Sequence, residues 1–397
     1  MSLARVLAFL VFFSPIVVTA ASGFDVAKLA QMDIEINRAI AEQKLPGGVL
    51  WIECKASNYH KAFGRRAIVP SSEPMTEDTI FDAASMTKVL ATTPALMILY
   101  ERGALKLDEP IATYLPEFSR GGKEPITVRH LLTHTSGFKR ALSRTPDWSD
   151  LKKAIQSLGA EQPSSSPGTV FAYSDINFII LGAVVERVSG MALDKFAAQE
   201  IYAPLKMHDT CFLPSAAKRS RIAPTEKVGR EVLRGKVHDP KAQRMGGVAG
   251  HAGVFTTASD LARFSRMLLN GGKLDGVRIL KPETVRLMTT VQTPDSVEAR
   301  RGLGWDIDSE FSRPRGNIFP IGSYGHTGFT GVCLWIDPFS KTFWMFLSNR
   351  VHPDSSGNIY ALQKKLATLA AEALVDFNFR NVPGALPARR TNRSRNL

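Results

Sequence analysis

The stretch "FDAASMTKVL", residues 81–90, decides how the chain is read. An extended run ending at Ser85 gives way there to an apolar helical pattern, and Lys88 follows the serine by three residues. The spacing alone carries little. Ser85, Ser136, Ser149 and Ser215 each stand three before a lysine, about the chance frequency for two fixed positions in 397 residues. The surroundings separate them. Ser136 lies in the turn HTSG, Ser149 is an N-cap among charges, and Ser215 follows a proline in a basic stretch. Only Ser85 opens a helix apolar enough to be buried. The positive end of the helix dipole would favour charge on its oxygen, and a lysine one turn on shares its face. Acyl transfer needs such a hydroxyl, a group to move its proton, and two donors for the oxyanion. Burial would lower the proton affinity of Lys88, as a base requires.

Two further stretches supply the missing parts. In "FAYSDINF", 171–178, a loop passes into a helix, with Tyr173 on the loop side and Asp175 in the first turn. A tyrosine near a lysine is a proton shuttle between nucleophile and leaving group. In "GHTGFTG", 325–331, His326 and Thr327 can face a bound carboxylate, Gly328 lets backbone approach, and the Phe329 N–H is a candidate oxyanion donor.

In the order SMTK, YSD, HTG the chain resembles serine β-lactamases and penicillin-binding DD-peptidases, most of all the class C β-lactamase branch with its esterase and peptidase relatives. The resemblance covers about residues 24–376 and takes in "LLTHTSGF" (131–138) and "GGVAGHAGVFTTASDLARF" (246–264). It implies that Ser85 is the acylated nucleophile, Lys88 the activating base or its partner, and Tyr173 the shuttle. It also implies that the Ser85 and Phe329 N–H groups form the oxyanion hole. Two departures bear on substrate. Asp175 stands where class C enzymes carry an asparagine, and an ionised aspartate only accepts. His326 stands where they carry a lysine, and an unperturbed histidine loses its charge near neutral pH. Both weaken the expectation of efficient β-lactam hydrolysis.

The remaining histidines read more plainly. His251, in a glycine-rich loop, is a candidate for lining the substrate cleft. His130 and His134 shape the HTSG turn, and no carboxylate pattern accompanies them, so neither a metal nor a cofactor is expected.

The rest of the chain fits an exported enzyme. Residues 1–20 have one positive charge, a short apolar run and small residues near Ala20, the pattern of a cleaved signal peptide. No later run is long enough to span a bilayer. Apolar content of 44% and charged content of 22% are those of a globular protein. The three cysteines, Cys54, Cys211 and Cys333, have no short-range pairing and read as buried thiols. Part of the net charge of +13 falls in 377–397, read as a basic disordered tail; no nucleic-acid motif accompanies it.

Helix and strands at both ends, with helices between, predict one domain over 21–376. An antiparallel sheet from 24–84 and 291–376 is flanked by the terminal helices, and 85–290 forms a helical lobe. The function expected is an exported serine hydrolase, periplasmic or extracellular, acting on D-Ala-D-Ala-type cell-wall peptides or related amides and esters, with β-lactams as acylating ligands. The alternatives are a class C-type β-lactamase, or a penicillin-binding sensor that does not turn over. A non-catalytic wall-binding protein is disfavoured by the intact Ser85, Lys88 and Tyr173.

Overall fold

The computed structural model describes residues 23–140 and 148–389. The expected signal peptide and the end of the basic tail, 390–397, lie outside the described residues.

The main sheet draws on both ends of the chain. Its strands are β1 (Gly47–Cys54), β2 (Ser57–Ala67), β3 (Glu73–Pro74), β4 (Arg300–Arg301), β5 (Asp306–Asp308), β6 (Tyr324–Thr327), β7 (Cys333–Asp337) and β8 (Thr342–Ser348). They lie in the order β4-β5-β6-β7-β8-β1-β2-β3, and every pairing is antiparallel. The central pair joins the two ends of the sequence, with Gly48 opposite Ser348 and Cys54 opposite Thr342. The stretch ASNYH, 56–60, is mostly strand: β2 begins at Ser57, and Lys55, at φ +54, turns the hairpin.

One sheet face is covered by helices α1 (Val26–Ala41) and α5 (Tyr360–Glu372). Asp25 caps α1, accepting the Ala27 N–H at 2.8 Å, and Lys28 meets Glu372 of α5 at 2.6 Å. The buried stripe of α1 is Leu29, Met32, Ile36 and Ala39. Ile34 falls about half a turn from Met32 and is 57% exposed.

The other face packs on the helical lobe, which includes α2 (Thr93–Glu101), α3 (Asp175–Ser189) and α4 (Ala258–Leu269). A small sheet ties lobe and nucleophile segment together. Phe81–Asp82 pairs with Val254–Thr256, which pairs with Cys211–Phe212. The basic stretch read as disordered from 377 is placed as far as Arg389. It is held where Leu386 N–H donates to Ile321 and Arg389 donates to Val297. All three cysteines are free thiols.

Candidate active site

Ser85 does not open a regular α-helix. It sits in a 3₁₀ turn, Ala84–Met86, followed by a π-helical stretch, Lys88–Thr92, before α2 begins. Such wide-wound stretches recur at functional sites. Ala84 holds φ +45, a left-handed conformation that costs a residue with a Cβ about 1–2 kcal/mol. Asp82 holds that turn in place. One carboxylate oxygen accepts the Ala84 N–H at 2.8 Å and the other the His238 N–H at 2.7 Å. Burial pushes the Asp82 carboxyl up to about 6, although both N–H groups favour its charged form. The Thr330 hydroxyl donates to the Asp82 carbonyl at 2.7 Å, which fastens the HTG loop to the nucleophile turn.

Lys88 is fully buried, and its ammonium donates to three acceptors: Ser85 Oγ at 3.0 Å, Asp175 Oδ1 at 3.0 Å and the His251 carbonyl at 3.2 Å. It lies 5.1 Å from the centre of the Tyr173 ring. Among the four serines three before a lysine, only Ser85 bonds that lysine. Burial disfavours the charged lysine, but the Tyr173 phenol and the Asp175 carboxylate outweigh it, so its proton affinity is raised. The expected lowering is thereby reversed: burial is not the deciding effect when a carboxylate comes with it.

Asp175 stands between two lysines. Its second oxygen accepts from Lys241 at 2.7 Å. Burial works against its charge, yet Lys88, His251 and Lys241 together hold its carboxyl well below the usual carboxylate range. Asp175 lines the cleft, but both oxygens already face ammonium groups. Lys241 lies on a short helix, Pro240–Arg244, capped by Asp239, which accepts the Ala242 N–H at 2.8 Å. Asp239 also meets His251 Nε2 at 2.9 Å. Burial opposes the Asp239 charge, but the His251 contact prevails and brings the carboxyl to about 2. The His251 ring is therefore committed to Asp239 and buried, and does not line the cleft as expected; only its carbonyl meets Lys88. Donor atoms of Asp175, Asp239 and His251 lie within 4.8 Å of one another. The two lysines already balance the charge a cation would meet there.

His326 meets the Thr327 carbonyl through Nδ1 at 2.7 Å. A carbonyl only accepts, so Nδ1 carries the proton and Nε2 presents a lone pair. Nε2 is buried and has no partner. Burial, with Arg301 and Lys88 nearby, holds the ring's proton affinity well below the usual histidine range. The ring is neutral at physiological pH, so a charge-based reading of a carboxylate by His326 does not fit its surroundings.

Tyr173 is held between aromatic rings. Its ring centre lies 4.4 Å from that of His134, 4.9 Å from Phe311 and 6.1 Å from His326. His134 in turn accepts the Ser174 N–H at 3.2 Å and faces the Asn177 amide at 3.1 Å, which sets the loop carrying Tyr173. Gly328 permits the close approach expected of it: a Cβ there would lie 2.6 Å from the Ala83 carbonyl oxygen. Ser85, Tyr173, His326, Thr327, Gly328 and Phe329 all line one cleft between lobe and sheet.

Sequence reasoning passed over Asp82, Lys241, Arg301 and Arg350. Arg301 is buried, pairs with Asp306 at 2.9 Å and lies 6.0 Å from the Tyr173 ring centre. One signal was available, since Asp239-Pro240 is the signature of a capped helix start. The partners themselves are set by long-range packing.

A family model described as Beta-lactamase matches residues 31–368. The chain belongs to the Beta-lactamase family. Among its relatives is a protein of Escherichia coli (strain K12) named "Putative D-alanyl-D-alanine carboxypeptidase", 33% identical, the match covering 83% of this chain and 84% of that protein. An N-acetylmuramyl-L-alanine amidase of Bacillus subtilis (strain 168) is 31% identical, with 85% of each covered. The fold matches that of a penicillin-binding protein homologue from Caulobacter crescentus, with a TM-score of 0.72 at 20% identity over 88% of this chain and 99% of that one. It also matches a class C β-lactamase, with a TM-score of 0.70 at 21% identity over 86% and 96%. The chain is thus a hydrolase of this family, with the antiparallel sheet and helical lobe expected from its sequence.

Proposed function

We propose that this protein is an exported serine hydrolase that forms an acyl-enzyme on Ser85. It acts on D-alanyl-D-alanine-type cell-wall peptides or on related amides and esters. The observation that carries the reading is the Ser85 Oγ–Lys88 Nζ contact at 3.0 Å, with the Tyr173 ring beside the same ammonium. A charged lysine has no lone pair. The base must then be Tyr173 in its phenolate form, beside that ammonium: the phenolate takes the serine proton as Ser85 attacks, the resulting phenol returns it to the leaving group, and Lys88 stabilises the negative charge in transit. The Ser85 and Phe329 N–H groups hold the oxyanion. Water then releases the acyl group, and the enzyme returns to its starting state.

β-Lactamase activity is the weaker reading. Asp175 has both oxygens engaged by lysines and no donor for a substrate amide. The relatives' names, a carboxypeptidase and a muramyl-alanine amidase, support a wall substrate. The test is incubation with a fluorescent penicillin, a D-Ala-D-Ala peptide and a short-chain ester, read by intact mass and by product release. The expected result is a Ser85-bound acyl group with turnover of peptide or ester. Ser85→Ala should lose labelling and at least roughly 10³-fold of turnover with an unchanged melting curve. A stable penicilloyl adduct without any turnover would make the protein a sensor, and activity persisting in the alanine variant would remove Ser85 from the chemistry.

A further inference from the structure

The family match ends at residue 368, yet the chain is placed as far as Arg389. Beyond α5 it returns across the open edge of the main sheet. β4 is the last strand there and pairs with β5. Three contacts fasten the returning segment to that edge. The Leu386 N–H donates to the Ile321 carbonyl at 2.8 Å, just ahead of β6. Arg300, in β4 itself, donates through its guanidinium to the Pro387 carbonyl at 2.7 Å. Arg389 donates to the Val297 carbonyl at 2.8 Å and the Asp295 carbonyl at 3.4 Å, in the loop that leads into β4. Pro383 and Pro387 stiffen the segment, since each ring locks its φ. Leu386 is 39% exposed, so the segment adds little to the core. Its hold on the edge is polar.

What it holds reaches the proton-transfer group. Arg301 follows Arg300 and is buried, its guanidinium 5.6 Å from the centre of the Phe171 ring and 6.0 Å from that of Tyr173. Phe311, in the loop after β5, lies 4.9 Å from the Tyr173 ring centre. Arg301 and Phe311 form one wall of Tyr173, and His134 of the lobe forms the other. The His134 wall is anchored by buried bonds to Ser174 and Asn177. The Arg301 wall stands on the edge strand. From within the sheet Asp306 holds Arg301, and from outside the returning segment holds Arg300.

We propose that residues 386–389 are a strap that positions the Arg301–Phe311 wall against Tyr173. The strap lines no part of the catalytic cleft and acts through the edge strand. The proposal rests on the reading of Tyr173 as the proton-transfer group, and adds a positioning element that lies beyond the family match.

The test is a full-length variant carrying Arg300→Met, Leu386→Pro and Arg389→Met, which removes the donors of all three contacts. Amide exchange read by mass spectrometry should rise by roughly tenfold or more over 297–311, the scale of local opening after a few hydrogen bonds are lost. Exchange in α1 should not change. For a short-chain neutral ester kcat should fall by roughly three- to tenfold with KM within about twofold, less than the ~10²-fold that full misplacement of a group can cost. In a Tyr173→Phe background the same three changes should cost under about twofold, because the group they position no longer acts. Leu386→Pro alone serves if the triple variant does not fold, with the same signs and smaller size. Unchanged exchange over 297–311 would overturn the strap. Faster exchange with an unaltered kcat, or a loss that persists in full beside Tyr173→Phe, would overturn its positioning role. If ester turnover survives Ser85→Ala, it is the acyl-enzyme reading that fails, and the exchange result stands apart from it.

Discussion

The two ends of the cleft handle charge in opposite ways. At the inner end, among the described residues, the cations have carboxylate partners: Lys88 with Asp175, Lys241 with Asp175, and Arg301 with Asp306. At the outer end Arg350 and Arg313 meet aromatic rings and carbonyls, and no carboxylate. Pairing fixes geometry, since each ammonium or carboxylate is held by several hydrogen bonds at once. Groups that move a proton need that constancy before substrate arrives. Cations met only by carbonyls and rings leave the outer end net positive, and they are held by fewer contacts. Damage at the inner end should therefore slow every substrate alike, whereas damage at the outer end should leave proton transfer in place.

The largest substrate-blind effect after loss of Ser85 is expected from Lys88→Arg and Tyr173→Phe. Each should slow acylation by roughly 10²-fold, the scale of a positioned proton-transfer group. Stopped-flow labelling with a neutral ester and a carboxylate-bearing ester should give the same factor for both. A factor that differs between the two would mean that the inner end reads substrate charge.

The next effect is a pH limb. Asp82, with its carboxyl pushed up to about 6, should take a proton as pH falls through that value and give up an acceptor of the Ala84 or His238 N–H. The strained turn then loosens, and kcat/KM should fall on the acid side with a midpoint near 6. Stability should behave differently. A carboxyl whose folded affinity for protons is raised loses stability as pH rises from its unfolded value, so acidification from 7 to about 5 costs nothing through Asp82. Asp175 and Asp239 are depressed, so what they contribute is present above about 3.9 and is lost only as pH falls below it. A melting temperature that holds through the activity limb and drops below pH about 4 meets both expectations; a drop that tracks the activity would assign the limb to unfolding. Asp82→Asn, keeping one acceptor, should flatten the limb and lower the plateau.

The smallest effect belongs to Lys241→Met. Lys241 is partly exposed and holds only the outer oxygen of Asp175. A loss of roughly threefold in kcat, shared by charged and neutral esters, is the scale of a partly exposed ion pair of under 1 kcal/mol. A loss as large as that of Lys88→Arg would place Lys241 on the proton path.

The sequence made some of this legible and hid the rest for physical reasons. The helices of the lobe and the strands of the sheet follow local periodicity, so the layered architecture could be anticipated. SMTK, YSD and HTG stood out because each sits where an extended segment meets a turn or helix. The winding at Ser85 was not legible, because the φ of +45 at Ala84 is imposed by Asp82 and carries no local signal. The charge state of Lys88 depends on Asp175, and that of His326 on burial beside Arg301, contacts that no spacing records. His251 was sensed at the right place in the chain and assigned the wrong part, since its carbonyl and not its ring meets Lys88. Arg350 lies just past the end of β8 and carries no pattern at all; only the want of a carboxylate partner among the described residues marks it.

The pairing of Gly48 with Ser348 also bears on synthesis. The first central strand leaves the ribosome early and must wait for almost the whole chain before its neighbour exists. Until then the HTG loop has no sheet to hang from, and Thr330 cannot reach Asp82. Long-range pairing of this kind forms slowly and late. A nascent chain therefore carries its serine without a working cradle around it until the last strands of the sheet have been made.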